Sequence, residues 1–258
     1  MKHRKARGCG ARGGGAGLRS VSGTRGGWAG LRAVGVTLAL LLAYPASQVP
    51  AQTAVPAQQP AQDAKAVVTR AANAYRGLNS LRAEFDQSIE NPMIGNQESK
   101  GVLVQSGQAK LSMRFSDPPG EAIVIDGRSV WIYTPSTTPG QVLKLPVPTG
   151  GPVYGYNLIA WLLDRPAERY SSTVVRTDQV DGRPVDVVEM VPTVPDMPFS
   201  KATVWLDRGD ALPRRIEVDE ISGQKRTLTL HRLRTNVPVS DKTFTFEVPP
   251  GVRVVEQG

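Results

Sequence analysis

The sequence predicts a mainly β protein with some α: a single curved antiparallel sheet of about eleven strands, forming an unclosed half-barrel covered by a helical lid. Three observations predict it. Short segments from Leu81 to Phe246 alternate apolar and polar residues at period two, so each has one apolar face. Turn pairs such as Asp126-Gly127, Asp181-Gly182 and Ser222-Gly223 separate them at hairpin distances. Only 63–78 and 154–164 break the alternation with helical spacing. A one-faced sheet must cover its apolar side, and two short helices are a thin cover for so many strands. The sheet is therefore expected to curl around them, with surplus apolar surface lining a cavity.

The elements follow in order. Asp63 is a plausible N-cap for an amphipathic helix whose apolar face carries Val67, Ala71, Ala74, Tyr75 and Leu78. Leu81, Ala83 and Phe85 face one side of a strand over 81–89. A second strand covers 99–105, and a third, 109–115, turns Leu111, Met113 and Phe115 to one face. The stretch from Glu121 to Pro135 is the most ordered and reads as a hairpin around Asp126-Gly127. Ile123 and Ile125 share a face of its first strand, Trp131 and Tyr133 a face of its second. After a short strand at 141–145, Leu158, Trp161 and Leu162 recur at helical spacing, flanked by the hinge-like Gly150-Gly151-Pro152. Strands are then expected over 170–178, 185–191, 201–207, 212–219, 225–234 and 242–246. Their apolar faces include Val204, Leu206, Ile216, Val218, Leu228, Leu230, Phe244 and Phe246.

The chain has 258 residues and a formal charge of +8, but residues 1–32 hold eight of the 31 bases and no acid. The rest is balanced, 23 bases against 23 acids, so no basic surface for nucleic acid is expected. The basic leader precedes an apolar run, Ala33–Ala43, too short to span a bilayer. Together they read as a Sec-type export signal over 1–51, cleaved before Gln52. The basic part is longer than such a signal needs, so the true start is expected downstream of Met1. Residues 52–62, polar with two prolines, read as a tether, and 63–258 as one domain.

Chemistry is constrained by what the exported part would lack. Cys9 is the only cysteine and lies in the leader, which excludes disulfides, a thiol nucleophile and a lipid anchor behind the apolar run. His231 is the one histidine outside the leader, so a histidine metal cluster is excluded and a triad would depend on it alone. Phosphate-loop, G-x-S-x-G and H-E-x-x-H motifs are absent. Glu84 with Asp86, and Glu217 with Asp219, stand on polar strand faces beside bases and read as solvated charge. No catalytic residue, metal or cofactor is therefore expected.

The hairpin motif D-G-x-x-x-W-x-Y-x-P (Asp126, Gly127, Trp131, Tyr133, Pro135) resembles the periplasmic outer-membrane lipoprotein carrier family. Three further stretches agree in order: Phe85-x-Gln87 behind an Ala-rich helix, the helix at Asn157-Leu158-Ile159, and the ending Phe244-x-Phe246-x-x-Pro249-Pro250-Gly251-Val252. The resemblance implies a half-barrel that shields lipoprotein acyl chains in an apolar cavity while carrying them through the periplasm from inner to outer membrane. It implies cavity residues Phe85, Leu111, Met113, Phe115, Ile123, Ile125, Trp131, Tyr133, Val204, Leu206, Ile216, Val218, Leu228 and Leu230, with Leu158, Trp161 and Leu162 on the lid. On this reading Trp161→Asp lowers acyl-chain binding without unfolding the sheet. The implied partners are acylated lipoproteins, an inner-membrane ABC-type release complex and an outer-membrane acceptor, met by a monomer. One departure stands out: the arginine that this family often carries before the Leu111 strand, tied to lid closure, is replaced by Gly107-Gln108. Two rivals stay open: a half-barrel sensor or scaffold binding a membrane-protein partner or lipid, and a lipid hydrolase, the latter disfavoured by the missing nucleophile and base.

Overall fold

The computed structural model describes residues 63–148, 155–195 and 197–257. The expected signal, the tether, Gly150-Gly151-Pro152 and Tyr154 lie outside the described residues.

The first helix, α1 (Ala64–Arg76), starts where the Asp63 carboxylate accepts the Lys65 N–H at 3.0 Å. It buries Val67, Val68, Ala71, Ala72 and Tyr75, a stripe one face wide. Six strands then meander: β1 (Ser80–Asn91), β2 (Gly95–Ser106), β3 (Lys110–Asp117), β4 (Ala122–Ile125), β5 (Ser129–Tyr133) and β6 (Gln141–Pro146). Two short helices follow, α2 (Leu158–Leu163) and α3 (Pro166–Arg169). A second meander runs β7 (Tyr170–Val180), β8 (Arg183–Pro192), β9 (Phe199–Asp207), β10 (Pro213–Glu220) and β11 (Lys225–Thr235), and β12 (Arg253–Glu256) ends the chain.

All twelve strands form one sheet in the order β12-β6-β5-β4-β3-β2-β1-β11-β10-β9-β8-β7. Both meanders are antiparallel and meet where β1 pairs with β11, Phe85 opposite Leu230 and Gln87 opposite Leu228. Edge strands β7 and β12 do not pair with one another, so the sheet is unclosed, as expected. One apolar cluster gathers the inner face from Val130 on β5 to Met190 on β8 together with residues of α1 and α2. Strands remote in the sheet order thus wrap the same helices, which is how a half-barrel solves the problem of a one-faced sheet.

The segment 242–246 is not the expected strand. Both flanks of β11 are already occupied, by β1 and β10, so the chain leaving it finds no free edge nearby. Instead a 3₁₀ turn, Asp241–Phe244, begins an arm across the outer face, and pairing resumes at β12, parallel to β6. Lys110 on β3 pairs with Asp241 at 2.8 Å, and Arg114 donates to the Thr245 carbonyl at 3.0 Å. Phe244 is buried, and the Phe246 ring lies 5.6 Å from Trp131 and 5.8 Å from Tyr133.

That contact explains two motifs at once. In the β4–β5 hairpin, Ile123 pairs with Ile132 and Ile125 with Val130, so these four face the core. Trp131 and Tyr133 pair with Val124 and Ala122 and therefore point the other way. Their assignment to the cavity is corrected: they are the platform on which the C-terminal arm rests. Asp126 shapes the turn, its carboxylate accepting from the Arg128 and Ser129 N–H groups at 2.8 and 2.7 Å and from the Trp131 indole at 3.0 Å. Burial works to raise the Asp126 pKa, but these donors outweigh it and hold it below the usual value.

Candidate functional site

Helix α2 occupies the concave side of the sheet. Asn157 caps it, its side-chain oxygen accepting the Ala160 N–H at 3.1 Å, and all six residues of LIAWLL are buried. A helix apolar on every side must be enclosed on every side. Its two ends are fastened by different chemistry.

The C-terminal end is packed. The Trp161 ring meets Phe199 edge-on at 5.2 Å and Tyr170 at 6.5 Å. From α3, the Arg169 guanidinium covers the indole at 4.4 Å and donates to the carbonyls of Trp161 and Asp164 at 2.9 and 3.3 Å. Burial, the main cause, pushes the Tyr170 hydroxyl pKa well up, so it stays neutral. Because Trp161 belongs to this aromatic cluster, a carboxylate there would break the fold as well as the lid. The expectation that Trp161→Asp spares the sheet is therefore revised on physical grounds.

The N-terminal end sits over a hollow and is held by polar contacts. A pocket of about 130 Å³ lies between Gly155–Ile159 and a patch of sheet formed by Gln87, Ile89, Leu103, Met113, Ile123 and Leu228, with Arg226 at its side. The Arg226 guanidinium, on β11, donates to the Gly155 carbonyl at 2.6 Å and stands 3.7 Å from Glu220. Deeper in, the Tyr75 hydroxyl of α1 accepts from the Gln105 amide of β2 and is hydrogen-bonded with the Asn157 side chain. The same amide donates to the Gly107 carbonyl at 2.6 Å. Burial raises the Tyr75 pKa far above normal, so the hydroxyl remains an uncharged link between α1, α2 and the sheet.

Gly107 takes part in this network through its carbonyl, and the guanidinium that reaches the backbone just before α2 is that of Arg226 on β11. The signal was present in the sequence. Arg226 has the same parity as Leu228 and Leu230, so the alternation itself places a charge on the apolar face. Gln87 stands in the Phe85-x-Gln87 motif and Ile159 in the Asn157-Leu158-Ile159 stretch; Ile89 and Leu103 carry no signal beyond being apolar.

Of the sequence-predicted cavity residues, Phe85, Leu111, Met113, Phe115, Ile123, Ile125, Val204, Leu206, Ile216, Val218, Leu228 and Leu230 all join the inner-face cluster with Leu158, Trp161 and Leu162. Met113, Ile123, Leu228 and Leu158 reach the pocket; the others are packed against one another or against the helices. The pocket at the N-terminal end of α2 is smaller than the ~300–1,000 Å³ of ordinary ligand pockets.

A wider cleft, about 660 Å³, lies on the outer face around His231, Asp86, Glu84 and Asp181. There the His231 Nδ1 is 2.8 Å from Asp181 and its Nε2 3.1 Å from Asp86. Both ring nitrogens are taken by carboxylates, so neither is free to activate a nucleophile. The arrangement ties β11, β1 and the β7–β8 turn together.

Residues 76–247 match the family described as outer membrane lipoprotein carrier protein LolA. The chain is 26% identical over 183 residues to the outer-membrane lipoprotein carrier protein of Methylobacillus flagellatus, covering 70% of this chain and 84% of that one. It is also 26% identical over 197 residues to the same protein of Pseudomonas paraeruginosa, covering 76% and 90%. Among solved structures, a LolA superfamily protein from Nitrosomonas europaea is similar at 15% identity with a TM-score of 0.39, covering 71% of this chain and 97% of that one.

Proposed function

Because the chain belongs to the outer-membrane lipoprotein carrier family, we propose that it is exported to the periplasm and carries lipoproteins there, sheltering their acyl chains between the concave sheet and α2. The observation that carries this reading is the asymmetry of α2: an all-apolar helix with a hollow beneath its N-terminal end, where hydrogen bonds from Arg226 and Asn157 supplement the packing of Leu158 and Ile159.

The energetics suit a carrier. Displacing α2 exposes Leu158, Ile159, Trp161, Leu162 and Leu163, at ~1.5–3 kcal/mol for each large side chain. An acyl chain entering the same space recovers ~0.8 kcal/mol per methylene. A long chain and the helix are therefore worth comparable amounts, on the order of 10 kcal/mol each. Cargo substitutes for helix with a small net change, as reversible delivery requires. A permanently open cavity would hold its cargo too tightly to release it.

The reading includes a donor complex in the inner membrane and an acceptor at the outer membrane, and it assigns no catalytic step to any residue. Mass spectrometry of the protein as purified from the periplasm tests it. Bound acylated peptides or triacylated lipoprotein are expected; a protein that emerges empty and fails to take an acylated lipoprotein from micelles refutes it.

A further inference from the structure

The hollow under α2 lies toward one end of the sheet, and that end carries an unusual rim. The β1–β2 turn exposes Met93 and Ile94, 92% and 71% accessible, and the β10–β11 turn exposes Ile221, 71% accessible. These are not frayed tips. The Asn91 side chain accepts from the Met93 and Ile94 N–H groups at 2.9 and 3.3 Å, and the Ile221 N–H donates to the Pro198 carbonyl at 3.1 Å. Nor are the tips separate. Asn91 donates to Gln224 at 3.4 Å, and a Cβ at Gly223 would touch Pro92 at 3.7 Å. Three exposed apolar side chains thus sit on two adjoining, hydrogen-bonded turns.

The rim is also free of charge: residues 91–97 and 221–224 contain no acid or base. Charge begins one residue below, at Glu90, Glu98, Glu220 and Lys225, and Lys225 is already paired with Asp219 at 3.6 Å. Ile89, which lines the hollow, is two residues from Asn91, where β1 ends and the turn carrying Met93 begins. The patch therefore adjoins the hollow rather than lying on a remote face.

We propose that this rim is a membrane-contact site: Met93, Ile94 and Ile221 dip into the headgroup–acyl boundary of a lipid bilayer, bringing the α2 end of the hollow to the surface where acyl chains reside. Three side chains fall far short of the ~800 Å² per partner that a stable protein interface buries. A deformable lipid surface needs no complementary pocket, and its affinity scales with the apolar area inserted. The uncharged tips add that contact does not depend on anionic lipid. The site rests on the carrier reading only for its purpose; its existence is tested separately.

The test is flotation of the protein purified from the periplasm with phosphatidylcholine vesicles, with and without phosphatidylglycerol. It is compared with a variant carrying Met93→Ser, Ile94→Ser and Ile221→Ser, purified in the same way. Both are taken after export, so no signal segment contributes and the difference reports the rim alone. The variant is expected to bind at least about tenfold more weakly, and equally so on both vesicle types. An environment-sensitive fluorophore on Met93→Cys should shift to the blue on vesicles, while the same label on Gln108→Cys, in the turn between β2 and β3, should not. Equal flotation of variant and parent, or a label at 93 that stays in water, overturns the proposal. So does a variant that floats normally but loses capture of an acylated peptide in solution, which would assign the rim to cargo. Normal vesicle contact in a protein that captures no acylated peptide would instead sink the carrier reading and leave the rim standing.

Discussion

Arg226→Met isolates the latch on α2. Methionine keeps most of the apolar stem along the pocket wall and removes only the charged head. The lost contact is a charged donor at 2.6 Å from the Gly155 carbonyl, an interaction worth ~1.5–3 kcal/mol net. The Glu220 contact at 3.7 Å goes with it; both side chains are mostly buried, so the carboxylate left behind adds to the cost. Taking the low end of that range, the fraction of molecules with α2 displaced rises about tenfold. Two readouts follow. The Trp161 amide, bonded to the Asn157 carbonyl at 3.0 Å, and the Ala160 amide, bonded to the Asn157 side chain, should exchange hydrogen about tenfold faster. Amides in the middle of β9 should not change. Apparent affinity for an acylated peptide should tighten by a similar factor, because it scales with the competent fraction, and release should slow. Unchanged exchange at 160 and 161 would refute the latch. Faster exchange with weaker binding would mean that Arg226 grips cargo instead of restraining the lid.

Other perturbations address the remaining parts. Tyr75→Phe removes the link between α1, α2 and Gln105, leaving a buried amide short of a partner; a loss of ~1–3 kcal/mol in urea unfolding is expected, together with faster exchange at 160 and 161. Gly101→Ala puts a Cβ 2.2 Å from the Arg114 carbonyl, so β2 and β3 must separate, and a loss of ~1–3 kcal/mol should appear in the same assay. Phe246→Ala strips the arm from Trp131 and should cost ~3 kcal/mol or less, with a change in tryptophan fluorescence but no change in acyl-peptide capture. Asp207 gives a pH signature. Burial would raise its pKa, but donation from Arg183 and from the Asp210 and Gly209 N–H groups, with Arg214 nearby, brings it down to about 2. A depressed carboxylate stabilises the fold above its unfolded pKa of ~3.9 and loses that contribution as pH falls through the folded value. Urea midpoints should therefore drop between pH 4 and 2, more steeply than in Asp207→Asn.

The sheet was legible because period-two alternation and turn pairs are local signals, and those from Leu81 to Leu230 mark real strands and real turns. What the sequence hid was which face each strand turned inward when both faces were apolar. Ile132 and Trp131 are adjacent, and only the pairing of Ile132 with Ile123 decides that Trp131 faces out. An aromatic in a hairpin reads as core unless something else is known to cover it, and here the cover, Phe246, arrives 115 residues later. The same long reach disguised 242–246. Phe244 and Phe246 alternate as in a strand, yet the edges of β11 are occupied and the segment lies across the sheet instead.

The site was legible in the same measure and failed for a related reason. Apolar periodicity identified the inner face, but it cannot distinguish a lined cavity from a filled one, because the same leucines serve both. The informative residues are those that violate the pattern: Arg226 among inward leucines, Gln105 and Tyr75 in the interior, and Asn157 at the head of an apolar helix. Each carries a polar group that apolar packing alone would not require, and together they converge on the N-terminal end of α2, beside the pocket. Apolar contacts would hold α2 against any cargo that is itself apolar only by outcompeting it. Hydrogen bonds hold it without competing for the same surface, since an acyl chain offers them nothing in exchange. On the carrier reading, a few directional contacts that can be broken from outside thus add to apolar packing in setting the closed state, while the surface beneath is left to the cargo.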